Sequence, residues 1–406
     1  MSNQTENSPA NSPANPSDTL PVPRIIESRI TVLDGVRGLA IATVVIGHIS
    51  EFGVYIDPMF RVVYALSWIG VELFFVLSGF LITSILLETT SRKGYFSRFY
   101  FRRFWRIVPV YYLVLTVTTF VFPAIFSEMI TPQMADSWRG HAPWYYAFLA
   151  NFMMLKMSDM PKDPMTVAWS LAIEEQFYLV WPLVVLGFRR WRPLKILGAL
   201  LAFSIGLKAV LLMQGWVDYS FYLFTPTRIE TLVIGSALAV AWHHGWIKPN
   251  WRFARVGCVS AVLLIAIHLL SLISDGEDGL GLVGSALGSL TYYLLIGVMF
   301  AALIGFLLTQ PNSGFSQILQ KRWLCQLGVW SYSIYLTHNL INHGLAQSGL
   351  TFGLLGSNVL GLSFHAALTV AVAVGVGYAL YRFVERPIMS WRDRWLFAAS
   401  QKSSVT

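Results

Sequence analysis

Apolar residues fall in long runs, separated by short polar links, along almost the whole chain. About 20 consecutive apolar residues span a bilayer core as a helix. Ten such segments can be drawn, near 33–52, 62–87, 104–126, 168–188, 194–214, 226–243, 253–273, 282–309, 324–346 and 358–383. The strand pattern of a membrane barrel, alternating over about ten residues, is not what these runs show. A further apolar, aromatic piece from Trp144 to Leu155 is too short to span, and reads as interfacial or re-entrant within the connection 127–167. The predicted fold class is therefore all-α, a polytopic bundle of about ten transmembrane helices.

Charge tests that count. With the N-terminus in the cytoplasm, the first inner loop holds Arg92, Lys93, Arg98, Arg102, Arg103 and Arg106, and the next holds Arg189, Arg190, Arg192 and Lys195. Later inner segments hold Lys248, Arg252 and Arg255, then Lys321 and Arg322, then Arg382, Arg386, Arg392, Arg394 and Lys402. The opposite loops are poorer in base, with Arg61, Arg139, Lys156, Lys162 and Arg228, and gain acid from Asp275, Glu277 and Asp278. Basic loops inside and base-poor loops outside follow the positive-inside rule, and an odd helix count would break the alternation. Both termini are expected in the cytoplasm, with the protein in the inner (plasma) membrane of a bacterial-type cell.

Composition agrees, with 55% hydrophobic and 12% charged residues against about 25% charged in soluble domains. The net charge of +8 does not indicate nucleic acid, because the basic residues are scattered over short loops. Two cysteines, Cys258 and Cys325, support neither a disulfide framework nor a zinc site, and no metal is expected. Residues 1–31 are rich in Ser, Asn, Pro and Thr and read as a disordered tail. They lack a basic n-region followed by an apolar h-region, so the first helix is expected to stay attached. Residues 32–390 form one membrane domain and 391–406 a cytoplasmic tail. No pair of matching Gly/Pro-broken halves, the mark of many transporters, is evident.

The first apolar run carries Asp34, Arg37 and His48. Arg37 and His48 are eleven positions apart, which puts them near one helix face and roughly 16 Å apart along the axis. Ionisable groups within membrane helices are costly and mark function by default. With the topology above, His48, Glu72, Glu174 and His338 fall in one layer of the outer half, with Ser78 nearer the middle. Arg37, Arg103 and Arg106 fall in a second layer at the inner face. A titratable layer and a cationic layer suit a ligand that is anionic at one end and reacts at the other.

Each residue also has a plainer reading. Arg103 and Arg106 fit a basic cluster meeting lipid headgroups. His48 and Glu174 fit a buried pair joining two helices, and His338 a packed histidine. Ser78, in a Ser-Gly step, reads as a close helix contact rather than a nucleophile. Glu175 faces away from Glu174 by about 100°. His141, His243, His244, His343 and His365 lie in loops or near helix ends, with no catalytic part expected.

Five runs resemble acyltransferase family 3 of membrane proteins. They are Leu33-Asp-Gly-Val-Arg-Gly with His48, Gly70-Val-Glu-Leu-Phe-Phe-Val-Leu-Ser-Gly-Phe-Leu-Ile82, Arg102-Arg-Phe-Trp-Arg-Ile-Val-Pro109, Trp169-Ser-Leu-Ala-Ile-Glu-Glu-Gln-Phe-Tyr178 and Tyr332-Ser-Ile-Tyr-Leu-Thr-His338. The late Arg382-Phe-Val-Glu-Arg-Pro387 also fits. The resemblance covers about residues 31–390 in the family's order. It implies a ten-helix bundle that moves an acyl group, often acetyl, from a coenzyme A thioester to a carbohydrate hydroxyl. It carries the family's Arg and His onto Arg37 and His48, its basic pair onto Arg103 and Arg106, and its helix-four carboxylate onto Glu174. The C-terminal domain like Ser-Gly-Asn-His hydrolases that some members carry is not expected, since the chain ends at Thr406.

The expectation is thus a membrane O-acyltransferase with cytoplasmic acyl-CoA, acetyl-CoA above all, as donor. The acceptor is an extracytoplasmic carbohydrate, lipid-linked forms included, and the remaining partners are membrane lipids. Arg37, Arg103 and Arg106 would hold the donor's phosphates. His48 would be the base, oriented by Glu174, with Glu72, Ser78, Tyr178 and His338 in support. The alternative is a proton-coupled transporter or a flippase of lipid-linked sugars, for which the same buried charges would serve.

Overall fold

The computed structural model describes residues 30–51, 62–64, 67–161, 163–216, 218–247, 252–274, 286–350 and 359–402. Among them the chain is helical and forms no strand. The longer helices are α1 (Thr31–Ser50), α2 (Ile69–Thr89), α3 (Tyr95–Thr116), α4 (Pro132–Tyr146), α5 (Ala150–Met157), α6 (Ala168–Gly187) and α7 (Pro193–Met213). They continue with α8 (Glu230–His243), α9 (Arg252–Ser274), α10 (Ala286–Thr309), α11 (Arg322–Gln347), α12 (Val359–Leu380) and α13 (Arg386–Lys402). A helix occupies each of the ten apolar segments. Six are both long and apolar enough to cross a membrane: α1, α2, α3 with its continuation to Ile125, α7, α10 and α12. Among the others, α6 is interrupted by Glu174, Glu175 and Gln176, α8 has only 14 residues, and α11 carries His338, Asn339, Asn342 and His343. The chain is a multi-pass membrane protein.

The expected tail 1–31 lies outside the described residues except for its last two. Three other boundaries differ from expectation. The segment 391–406 is not a plain tail, because α13 runs to Lys402. Trp391 and Trp395, four apart on one helix face, pack on α3: Trp391 meets Trp105 with ring centroids 4.8 Å apart, and Trp395 stacks on Phe101 at 4.5 Å. Helix α3 begins at Tyr95, so Arg98 to Arg106 sit on its first turns. The apolar piece around Trp144 is two helices, α4 and α5. They dock on α3 through Tyr111 and Tyr112, whose hydroxyls donate to the carbonyls of Tyr145 (3.0 Å) and Tyr146 (2.8 Å).

Two helix pairs set the frame, and both touch backbone to backbone. A Cβ on Gly38 would collide with the carbonyl of Leu324, and one on Gly328 with that of Asp34. Only glycine leaves room there, so α1 and α11 are locked at this level. Membrane helices associate this way because lipid offers apolar side chains no gain over protein. Partner numbers rise together along the two helices, so they run parallel. Ten residues beyond Gly38 lies His48, and ten beyond Gly328 lies His338; each interval is about 15 Å of rise. Helices α2 and α8 repeat the device, with Gly79 against Leu232 and Gly235 against Val76, and Ser236 donating to the Gly79 carbonyl at 3.2 Å.

Two ion pairs are buried beside that second seam. Arg228 makes a bidentate pair with Glu72, one bond measuring 3.0 Å. Lys208 donates to Glu230 at 2.8 Å, and Ser204 donates to the same carboxylate at 3.2 Å. This corrects two expectations. Arg228 is a fully buried residue rather than a loop cation, and Glu72 is saturated by it rather than open to His48. Counting charges in links cannot see a residue that ends the turn before α8 yet points inward. Such pairs are costly to break, since removing one partner strands a buried charge at about 3–5 kcal/mol.

The seam makes a stability prediction. Gly38→Ala should destabilise the protein by about 1–3 kcal/mol, as overpacking does. Gly375→Ala, where nothing stands within 4 Å of the added methyl, should not. Thermal unfolding of both variants in detergent checks this, and equal midpoints would mean that α1 and α11 are not locked as described.

Candidate active site

The last turn of α1 presents His48, whose Nδ1 lies 2.9 Å from the Val44 carbonyl one turn back. A carbonyl can only accept, so Nδ1 carries the proton and Nε2 keeps its lone pair. The same logic applies to His338, whose Nδ1 lies 2.7 Å from the Tyr335 carbonyl. Its Nε2 is therefore an acceptor, and it faces His48 Nδ1 at 3.4 Å. The two rings meet edge to face, with centroids 4.8 Å apart. His48 thus offers a free Nε2 on one side while two acceptors share its Nδ1–H on the other.

Helix α11 supplies the setting. Tyr335, His338, Asn339 and Asn342 recur at i, i+3, i+4 and i+7, which is one helix face. Tyr335 donates to the Val167 carbonyl at 2.8 Å and is bonded to Ser170 at 2.7 Å, tying α11 to the start of α6. Asn342 donates to the His48 carbonyl at 2.9 Å, and His365 of α12 is bonded to Asn342 at 2.9 Å. That stripe could have been found in the sequence, where only His338 of the four was singled out. His365, for which no catalytic part is expected, is a buried member of this chain. His343 lines the cavity described next.

His48 borders a cavity of about 210 Å³ at its end of the bundle. Trp68, Trp169, Tyr222 and Tyr335 form its aromatic walls, and Asp163 and Asn339 are among its polar ones. Asp163 is a fixed post: it accepts from the Tyr145 hydroxyl at 2.8 Å, from Met165 N at 2.9 Å and from His141 at 3.0 Å. Burial first, and then the charge of Asp163, hold the Tyr145 phenol well above its ordinary range, so it stays a donor.

The other cluster lies toward the start of α1. Arg37 is 3.5 Å from Asp34, and Arg103 and Arg106 stand near enough for their charges to repel it. Neither Arg103 nor Arg106 has an ion-pair partner among the described residues. Three half-buried cations converge there, within charge range of Asp34, Glu174, Glu175 and Glu385, and guanidinium groups without an ion-pair partner suit an anionic ligand. Arg103 lies over the Tyr178 ring at 4.6 Å. Tyr178 donates to Ser78 Oγ at 3.0 Å, and Ser78 donates to Glu174 at 2.7 Å.

The expected grouping of Arg37, Arg103 and Arg106 is therefore found, as is that of His48 with His338. Glu174 is not where it was expected. It belongs to the Ser78–Tyr178–Arg103 cluster, and the groups facing His48 are Val44, His338, Glu51 and His343. The cause is depth: Glu174 is six residues into α6, about 9 Å below its start, whereas His48 is two residues from the end of α1. Ser78 is a link between helices, as expected.

Residues 30–382 match the family described as "Acyltransferase domain". The chain is 30% identical over 378 residues to "Peptidoglycan O-acetyltransferase OatA" of Listeria monocytogenes, covering 88% of this chain and 55% of that protein. It is 29% identical to "Putative peptidoglycan O-acetyltransferase YrhL" of Bacillus subtilis, with 88% and 54% covered. To "O-acetyltransferase OatA" of Staphylococcus aureus it is 27% identical, with 88% and 56% covered. The chain spans about half the length of these curated relatives. No solved structure matches it. A family match that runs through both clusters and all the helices between them leaves one conclusion: the chain belongs to acyltransferase family 3.

Proposed function

We propose that the protein is a plasma-membrane O-acetyltransferase that moves acetyl from cytoplasmic acetyl-CoA to a hydroxyl of an extracytoplasmic glycan. Peptidoglycan is the acceptor class named for its relatives. The observation that carries the reading is the layout of α1. One helix bears a cation shared with Arg103 and Arg106 near its start, and a histidine with an open Nε2 beside a cavity near its end. About 16 Å of rise separates them, which suits a long donor with phosphates at one end and a thioester at the other. In this reading the chain crosses the membrane ten times with both termini in the cytoplasm, so the arginines lie inside and the cavity outside.

The reaction follows from these atoms. Arg37, Arg103 and Arg106 hold the donor's phosphates through charge-assisted hydrogen bonds. His48 Nε2 takes the proton of the acceptor hydroxyl as its oxygen attacks the thioester carbonyl. The C–S bond of the tetrahedral adduct then breaks, and the proton passes from Nε2 to the departing thiolate. While His48 is an imidazolium, its Nδ1–H donates to Val44 and to His338 Nε2. His338 thus does for His48 what the carboxylate does in a Ser-His-Asp triad. Glu174 anchors Tyr178 and Arg103 through Ser78, and so shapes the donor channel. A transporter would use the same buried charges, but the named relatives are O-acetyltransferases.

Two outcomes test this. His48→Ala should lower acetyl transfer by about 10²–10⁴-fold, the usual worth of a positioned base. His338→Ala should lower kcat by about 10–100-fold, since hydrogen bonds to charged groups contribute about 1.5–3 kcal/mol. Transfer from acetyl-CoA by the purified protein measures both, and full activity of His48→Ala at normal expression would end the proposal. Secondly, Arg106→Ala should raise KM for acetyl-CoA about tenfold or more, consistent with a lost charge-assisted bond. It should leave KM for acetyl-pantetheine, which lacks the nucleotide phosphates, unmoved. An equal rise for both donors would remove the phosphate role.

A further inference from the structure

All four charged residues of α3 and its continuation fall between Arg98 and Arg106. The uncharged part, Ile107 to Ile125, rises about 29 Å, which matches a hydrocarbon core of about 30 Å. The first turns of α3 therefore stand at headgroup depth. Helix α13 packs on them through the Trp391–Trp105 and Trp395–Phe101 ring contacts, and the Arg392 guanidinium donates to the Arg102 carbonyl at 3.2 Å. Arg392 is itself held by Asp393 at 2.8 Å. Acyl transfer uses none of this corner.

Arg98 and Arg102 are four apart on one face of α3, and Arg92 lies in the link before it. The charges acting most strongly on Arg102 are those of Arg392, Asp393, Arg98 and Arg92. Arg37 responds instead to Arg106, Asp34, Arg103 and Tyr178. The two sets share no member, so this corner is separate from the cluster around Arg37. Asp393 is taken by Arg392, and Arg92, Arg98 and Arg102 have no ion-pair partner among the described residues. The positive-inside rule asks only that inner loops be basic. It does not ask that α13, from 290 residues further on, bring Arg392 to the same place, where like charges repel. An apolar step adjoins these cations: Trp391 and Trp395 stay 43% and 49% exposed after packing on α3. An anion that carries alkyl chains meets both features, whereas a free phosphate or a nucleotide leaves the indole faces bare at membrane depth.

We propose that the corner between α3 and α13 is a binding site for one anionic phospholipid. The lipid phosphate lies among Arg92, Arg98 and Arg102, which donate charge-assisted hydrogen bonds to it. Its acyl chains run along the exposed faces of Trp391 and Trp395, at the depth where indole rings are favoured. Net negative charge decides the lipid class. A phosphatidylcholine headgroup brings its own ammonium and leaves the guanidiniums unneutralised, whereas phosphatidylglycerol does not. The bound lipid offsets the repulsion between α3 and α13 and so fastens the second helix to the first. The site holds whichever reaction the protein performs.

Native mass spectrometry of the full chain, delipidated in detergent and titrated with phosphatidylglycerol, tests the site. Arg98→Gln with Arg102→Gln should raise the Kd for phosphatidylglycerol about 25-fold, at about fivefold for each basic residue facing an anionic headgroup. Arg98→Gln alone, at an exposed position, should give the fivefold step and serves where the double variant does not fold. Arg189→Gln with Arg190→Gln, which removes as much charge from exposed positions in another link, should bind as the wild type does. Phosphatidylcholine should bind more weakly and equally to all of them, and excess glycerol 3-phosphate or CoA should leave phosphatidylglycerol in place. An unchanged Kd in the Arg98 variants, an equal loss in the Arg189 pair, or phosphatidylcholine bound as tightly would each overturn the site. Displacement by glycerol 3-phosphate would make it a free-phosphate site, and displacement by CoA an extension of the donor cluster; either result also overturns it.

Discussion

Where Gly38 meets Gly328, two helix backbones touch with no side chain between them. In a membrane this is the tightest joint a helix pair can make, because association there depends on close packing rather than on hiding apolar surface from water. The joint fixes axial register as well as distance. Since α1 and α11 run parallel, equal steps of ten residues carry that register to His48 and His338. Their 3.4 Å approach is therefore set by glycines about 15 Å away along each helix. Asn342, which donates to the His48 carbonyl, closes the far end of the same joint.

The second seam, between α2 and α8, does a related job for charge. It brings Glu72 to Arg228, and Glu230 to Lys208 lies beside it, all buried. Four ionised groups inside a bundle are a poor source of net stability, because desolvation offsets most of their attraction. Their effect is on geometry. Arg228 sits against Tyr293 at 4.0 Å and also behind Tyr222 and Trp169, so the ion pair backs one wall of the cavity that the first seam provides with its histidine.

Much of this was legible in the sequence, for stated reasons. Hydropathy marks a helix in each of the ten apolar runs because apolar length is what a bilayer demands, but it does not mark α13, whose residues are largely polar. The eleven-residue interval from Arg37 to His48 foretells two clusters on one rail, and the Arg103–Arg106 pair falls beside Arg37 as its spacing implies. Pairing was harder to read than depth. Shared depth in the outer half points Glu174 to His48, but its partner is Ser78, and only packing decides which polar groups share a level. Arg228 shows the same limit, since a basic residue at the end of an apolar run looks like a loop cation until its carboxylate is seen. His338 and the α11 stripe were within reach, through the helical period that joins Tyr335, His338, Asn339 and Asn342.

In the proposed function α1 is a rail along which one donor lies extended. A cryo-electron microscopy map of the full chain, with a thioether analogue of acetyl-CoA that cannot react, tests it most directly. Pyrophosphate density is expected among Arg37, Arg103 and Arg106, with the acyl carbonyl beside His48 Nε2 at the mouth of the cavity. Nucleotide density in that cavity, or anywhere away from the three arginines, would contradict it.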